Sequence, residues 1–264
     1  MFSAILVLSD TNDDEKAMLS LWAKTSGTWI NVVLVLLGTG SGLLLRGRLP
    51  RAMQDVITQA MGLITLFIGV QMAQPLTQID AGQIAGVIVG MVALVIGGLL
   101  GEWWKIEKRL AEVGDWLKAR FGGGSRFTEG FVAASLLYCI GPMAILGSLN
   151  NGLRGDDTIL IIKGTMDGLI SIALTGSYGA GVGFSVLPVA LYQGGMSLLA
   201  GLLSSGIGDP AASPGILLVT GVGGVIIMGI GFNLLQVTTI RVASFLPALM
   251  LTPLFYRLCQ LFSV

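Results

Sequence analysis

A chain of 264 residues with 53% hydrophobic residues, 11% charged residues and a mean hydropathy of +0.84 is too apolar for a soluble domain, where about a quarter of residues carry charge. Its 15 basic and 15 acidic residues cancel and form no basic stripe, which excludes a nucleic-acid partner. Histidine is absent, and Cys139 and Cys259 lie in separate apolar segments as small buried hydrophobes, so no metal site, disulfide, cofactor or Cys–His nucleophile is expected.

The first 26 residues stand apart from the rest. Residues 2–8 are apolar but too few to span a bilayer, and the acidic run Asp10, Asp13, Asp14 and Glu15 follows them. Without a basic start the segment is not a signal peptide. It reads as a partly disordered extension, 1–26, ahead of a single transmembrane domain, 27–264, and Met18 is also a sensible start.

Beyond it, charges crowd into short clusters separated by apolar runs of bilayer length. Crossing about 30 Å of hydrocarbon takes roughly 20 apolar residues in a helix. Only a helix satisfies its own backbone amides within one such segment. The fold class is therefore all-α, a polytopic helical membrane protein. Eight spans are predicted, at 29–45, 56–73, 81–101, 127–149, 158–176, 182–205, 216–236 and 242–261. The fifth is the least secure because Lys163 and Asp167 stand in its first half. A re-entrant fifth segment would reduce the count to seven and move the C-terminus to the other side.

Lysine and arginine bias orients the bundle. Arg46, Arg48 and Arg51 follow the first span, and Lys105, Lys108, Arg109, Lys118, Arg120 and Arg126 follow the third, which places both loops in the cytoplasm. Loops at Asp80, Asp156–Asp157 and Asp209 fall outside, and Arg241 falls in an inner loop. Between the third and fourth spans, 102–121 is strongly amphipathic. Trp103, Ile106, Leu110, Val113, Leu117 and Phe121 step by three or four, with charges on the opposite face. That pattern is an interfacial helix on the headgroups, anchored by Trp103, Trp104 and Trp116.

Glycine supplies 39 residues, about twice the usual share. Gly82, Gly86 and Gly90 repeat at intervals of four, a small-xxx-small series that lets helix backbones approach within the bundle or across a homodimer seam. Gly141-Pro142 and the 176–183 glycine cluster are candidate helix breaks lining a cavity. Two internal echoes compete. Thr58, Gly62 and Gly69 match Thr220, Gly224 and Gly231, which relates the second span to the seventh as an inverted repeat. Gly27-Thr28 matches Gly164-Thr165, which implies a different repeat.

The polar side chains within spans are the functional candidates, since burying them in lipid is costly. Asn31, Lys163, Asp167, Gln193 and Asn233 form the candidate substrate or ion site. Lys163 and Asp167 are four residues apart and share a helix face, so they can pair. Near the surface Lys163 snorkels and the pair is an anchor. At depth it is a structural ion pair or a coupling site, with Asp167 taking up a cation or proton and Lys163 tuning it or meeting an anion. Asn31, Gln193 and Asn233 also read as helix–helix hydrogen bonds.

Several blocks carry a family resemblance: GTWINVVLVLLGTGSGLLLRGRLP at 27–50, ITQAMGLITLFIGVQMA at 57–73, LLYCIGPMAILGSLNNGL at 136–153, IIKGTMDG at 161–168 and IRVASFLPAL at 240–249. Together they resemble the DUF554 membrane proteins of bacteria, the YqgA/YdfK type. In that family the Gly-Thr-x-x-Asn block lies almost at the start, so the 1–26 extension departs from the pattern. The resemblance implies a multi-pass protein of the bacterial inner (plasma) membrane and supplies neither substrate nor catalytic residue. A transporter or channel for a small solute or ion is the expected function, in contact with the lipid bilayer. The alternative is a non-transporting scaffold that self-associates through glycine faces. No HExxH, GxSxG or intramembrane carboxylate pair is present, so an enzyme is not expected.

Overall fold

The computed structural model describes residues 2–46, 50–202 and 213–261, with side chains of 2–20, 46, 51, 142, 201 and 202 outside the described set. Helix α1 runs Phe2–Arg46 without a break. Of the 1–26 extension expected from the sequence, residue 1 and the side chains of 2–20 lie outside the described residues, while the Ala23 carbonyl and Ser26 hydroxyl bond to Asn151 and Asp157; the side chains of Arg46, Arg48 and Arg51 and the whole loop at Asp209 also lie outside. Next come α2 (Arg51–Ala73), the short α3 (Pro75–Gln78), a hairpin of β1 (Asp80–Ala81) and β2 (Ile84–Ala85), and α4 (Gly86–Trp103). Amphipathic α5 covers Ile106–Phe121, followed by α6 (Phe127–Cys139), α7 (Pro142–Arg154) and α8 (Thr158–Tyr178). The sixth crossing is irregular: a 3-10 turn at Ala180–Ser185, α9 (Val186–Val189), a π-helical turn at Ala190–Gly194 and α10 (Gly195–Leu202). Helix α11 spans Pro214–Leu234, and a 3-10 turn at Val242–Phe245 leads into α12 (Leu246–Leu261).

Seven of these segments are long and apolar enough to cross a membrane unaided, and α6 with α7 makes an eighth, bent by 59°. The fifth crossing, α8, is continuous over 21 residues, so the insecure crossing is the fourth instead. The cause is local: Ile140 turns extended and Pro142, lacking an N–H, opens a new helix. The bent pair still crosses. Helices of 13 residues each are about 20 Å long, and a 59° bend leaves about 10 Å of the second along the first axis, for about 30 Å in all. Contacts at the two ends agree with this. The Arg126 guanidinium lies 4.3 Å from the ring centroid of Tyr178, at the end of α8, whereas Asn151 donates to the Ala23 carbonyl at 2.8 Å, beside the start of α8.

Glycine seams hold the bundle together. Helices α1 and α8 lie side by side in parallel: an added Cβ on Gly38 would collide with the Gly168 carbonyl, and one on Gly42 would come within 2.6 Å of the Ile172 carbonyl. Helices α2 and α11 run antiparallel, with Gly62 against Gly231 and Gly69 against Gly224. Both internal echoes thus fall on pairs of helices that touch. Helix α11 is the central column, with 72% of its apolar window buried. Its Leu218, Val222, Ile226 and Ile230 form a core with Leu76, Ala93, Tyr138 and Ala248. Outward-facing Leu63, Phe67, Leu99 and Met250 supply the apolar surface that lipid requires.

The Gly82, Gly86 and Gly90 series needs correction. Gly82 lies in the hairpin turn with φ of 66°, a left-handed conformation that its missing Cβ permits, and is not part of a helix. Gly86 and Gly90 do belong to α4, but both are buried within the protomer against Leu76 and α11. They therefore do not form an exposed seam. The amphipathic stretch also begins later than expected: Trp103 ends α4, Lys105 adopts φ of 55°, and only then does α5 start. Leu110, Gly114 and Leu117 turn toward Phe127 and Phe131, while Trp103, Trp104 and Trp116 stay exposed at the interface.

Candidate functional site

Depth was the open question for Lys163 and Asp167. Asp167 stands nine residues after Thr158 and eleven before Tyr178 in a helix that crosses fully. At about 1.5 Å per residue it lies about 14 Å from the helix start, near the middle of the hydrocarbon. Both side chains are buried, and the Lys163 ammonium pairs directly with Asp167 Oδ2. The pair is not a surface anchor.

Two further predicted residues join it. The α1–α8 seam brings Asn31 within reach, because an added Cβ on Gly164 would sit only 2.8 Å from the Asn31 Cα. From there the Asn31 amide donates to Asp167 Oδ2 at 3.2 Å and to Gln193 Oε1 at 3.1 Å. Gln193 comes from the π-helical turn, just after Pro188 interrupts the helical ladder. Single π turns of this kind recur at functional sites because they re-aim one side chain. Asn31 and Gln193 are fully buried, yet Asn31 Oδ1 and Gln193 Nε2 have no hydrogen-bond partner among the described residues. An unpaired buried amide group costs about 1–3 kcal/mol, so these two atoms leave hydrogen-bonding capacity unmet at the centre of the cluster.

Tyr138 and Ser171 complete the surroundings, and neither was among the predicted residues. Lys163 Nζ lies 5.9 Å from the Tyr138 ring centroid. The Tyr138 and Ser171 hydroxyls share a hydrogen bond of 2.7 Å, and Ser171 donates to the Asp167 carbonyl at 2.8 Å. Their sequence signal is spacing: Lys163, Asp167, Ser171 and Thr175 recur every fourth residue, a polar stripe along one face of α8. Tyr138 falls in step with Phe127, Phe131 and Ala134 on the buried face of α6, a spacing that marks it as inward-facing but not as part of the site.

Asn233 does not belong to this cluster. Its amide donates to the Ile240 carbonyl and accepts from the Ile240 N–H, both at 2.7 Å, and so clamps the loop between α11 and the 3-10 turn before α12. Within that loop Gln236 takes a left-handed φ of 58°. Asn233 also lines a cleft of about 950 Å³ between α5, α6, the end of α8 and this loop, together with Glu107, Arg126, Tyr178 and Arg241. This mouth lies on the face bearing the basic residues. Burial pushes the Glu107 carboxyl above its usual range, against the opposing pull of an Ala243 N–H bond at 2.7 Å and the Arg241 charge. On the opposite face, hydrogen bonds from Thr158 hold Asp156 below the usual carboxylate range.

Comparison with known proteins agrees with this architecture. Residues 26–257 match the family described as "Protein of unknown function (DUF554)". The chain is 31% identical over 227 residues to "Uncharacterized membrane protein YdfK" of Bacillus subtilis (strain 168), covering 86% of this chain and 93% of that protein. It is 27% identical over 232 residues to "Uncharacterized protein YqgA" of Escherichia coli (strain K12), covering 85% of this chain and 93% of that one. No solved structure matches it. The chain is a membrane protein and belongs to the DUF554 family.

Proposed function

We propose that this DUF554 protein is a transporter or channel for a small solute or ion in the bacterial inner membrane, with the Asn31, Lys163, Asp167 and Gln193 cluster as its site. The observation that carries this reading is convergence. Three separate elements bring two opposite charges and two amides to one place near mid-membrane, and two of the amide atoms there have no partner among the described residues. A purely structural ion pair between neighbouring helical residues needs no such amide shell. Both interrupted crossings border the site, and interrupted helices are where transporters place irregular backbone against a binding cavity.

A self-associating scaffold is the second reading, but of the glycines expected to make its seam Gly82 turns a hairpin, and Gly86 and Gly90 are packed inside the protomer. The test is flux in proteoliposomes across a panel of ions and metabolites, comparing the wild type with Asp167→Asn. Uptake above that of empty vesicles, reduced at least about tenfold by the substitution, supports the assignment. The assignment is lost if no member of the panel moves, or if every flux survives Asp167→Asn unchanged.

A further inference from the structure

The charged cluster is the middle of a longer polar track. Toward the acidic face, Thr28 stands one turn from Asn31 on α1, and its buried hydroxyl has no partner among the described residues. Ser148 on α7, also buried and unpartnered at its hydroxyl, receives Ser197 of α10 at its carbonyl at 3.0 Å. Above them, Asn151 reaches Ser26 at 3.3 Å, and Ser26 donates to the partly exposed Asp157 at 2.7 Å. Toward the basic face, the Ser171–Tyr138 pair is followed one turn later by Thr175, whose buried hydroxyl is unpartnered, and then by Tyr178 at the 950 Å³ cleft. Thr39 of α1 supplies another unpartnered hydroxyl, packed against Gly183.

The distribution of orphan atoms is informative. Of the seven buried side-chain polar atoms without a partner among the described residues, six belong to this track, and only Thr220 lies elsewhere. Helical Ser and Thr hydroxyls ordinarily satisfy themselves on the carbonyl one turn back, as Thr65 and Thr252 do here. Thr28, Thr39, Thr175 and Ser148 do not. Where neighbouring groups share a helix, as Thr28 with Asn31 and Ser171 with Thr175, they are about one turn apart, about 5 Å, a gap that one water closes with hydrogen bonds to both sides. The glycine seam packs α1 against α8 backbone to backbone.

We infer that this track is a proton path across the protein, with the Lys163–Asp167 pair as its relay. The inference rests on the transport reading and names the coupling ion. The Asp167 carboxylate takes a proton from one half of the track while the Lys163 ammonium releases one into the other. Transfer from the resulting carboxylic acid to the amine then restores the ion pair. One proton crosses per cycle, and at no stage is a lone charge stranded near mid-membrane, where it would be costly. A carboxylate alone would not offer this neutral intermediate.

The test uses the full chain in proteoliposomes loaded with a pH dye, with a potassium gradient and valinomycin as driving force. Wild type should acidify or alkalinise the lumen at least about tenfold faster than empty vesicles. Asp167→Asn and Lys163→Met should abolish this, and Thr28→Val and Thr175→Val should slow it several-fold with the fold intact by circular dichroism. Ser41→Ala, at an exposed hydroxyl bonded to the Leu37 carbonyl, should leave the rate unchanged. Proton flux no faster than empty vesicles overturns the path, as does flux indifferent to Asp167→Asn or to both threonine variants. Sodium-driven or uncoupled uptake of a solute without proton flux overturns the path and leaves the transport reading standing; absence of both removes both.

Discussion

Breaking the Lys163–Asp167 pair from one side should cost more than removing it altogether. Asp167→Ala leaves the buried Lys163 ammonium uncompensated near mid-membrane, and removing one partner of a buried pair costs about 3–5 kcal/mol. The Asn31 amide loses one of its two acceptors but keeps Gln193, which adds about 1 kcal/mol at most. At about 2–4 °C per kcal/mol for a chain of this size, the melting temperature in detergent should fall by about 6–24 °C. The double variant Lys163→Met with Asp167→Leu substitutes apolar groups of similar volume, and such replacements are neutral or stabilising. It should recover most of the loss and still fail to transport. The assay is a double-mutant cycle by thermal or SDS unfolding, read beside flux on the same preparations. A single-variant loss below about 1 kcal/mol, or strict additivity of the two substitutions, would refute burial of the pair.

Three further outcomes follow from the packing. Gly38→Ala drives a methyl group into the Gly168 carbonyl across the α1–α8 seam and should destabilise by about 1–3 kcal/mol. Gly40→Ala two residues away meets nothing within 4 Å and should gain up to about 1 kcal/mol of helix propensity, so melting temperatures of the two variants should move in opposite directions. Asn233→Ala removes both bonds to Ile240, costs about 2 kcal/mol, and should speed amide exchange across 235–241 without reproducing the Asp167→Asn flux defect. Glu107 is raised in the folded state, so its contribution to stability is fully present below its unfolded pKa and is lost as pH rises through the higher folded value. Glu107→Gln should therefore flatten the pH dependence of melting just above the ordinary carboxylate range; an unaltered profile would assign the slope to another group.

Much of the fold was legible because the bilayer imposes length and polarity on each segment. The charge-free window before Glu102 and the glycine-proline step at Gly141-Pro142 each mapped onto a real element or break. What misled was local chemistry that periodicity does not register. Gly82 kept the four-residue spacing of Gly86 and Gly90, yet its left-handed φ serves a hairpin turn. Asn233 looked like an intramembrane amide, but it sits one residue before the end of α11, where a side chain can reach back to a loop. Lys163 and Asp167 made the fifth crossing look weak, although two charges that neutralise each other on one face do not prevent a helix from spanning.

The arrangement of the site follows from which walls can move. One wall, α1 with α8, is locked by glycines at Gly38, Gly42, Gly164 and Gly168, where almost any shift meets backbone. This wall carries Asn31, Lys163 and Asp167, so the charged groups are held on the rigid side. The facing wall is built from the α6–α7 bend and the 3-10, α and π pieces of the sixth crossing, which also pack on each other. These breaks are where backbone angles can change at least cost, and they present Tyr138 and Gln193 to the fixed charges. Fixed charges opposite a jointed wall can exchange partners while the ion pair stays near mid-membrane. On the transport reading proposed above, breaks on one side of the cluster supply the movement that a bundle of unbroken helices would lack.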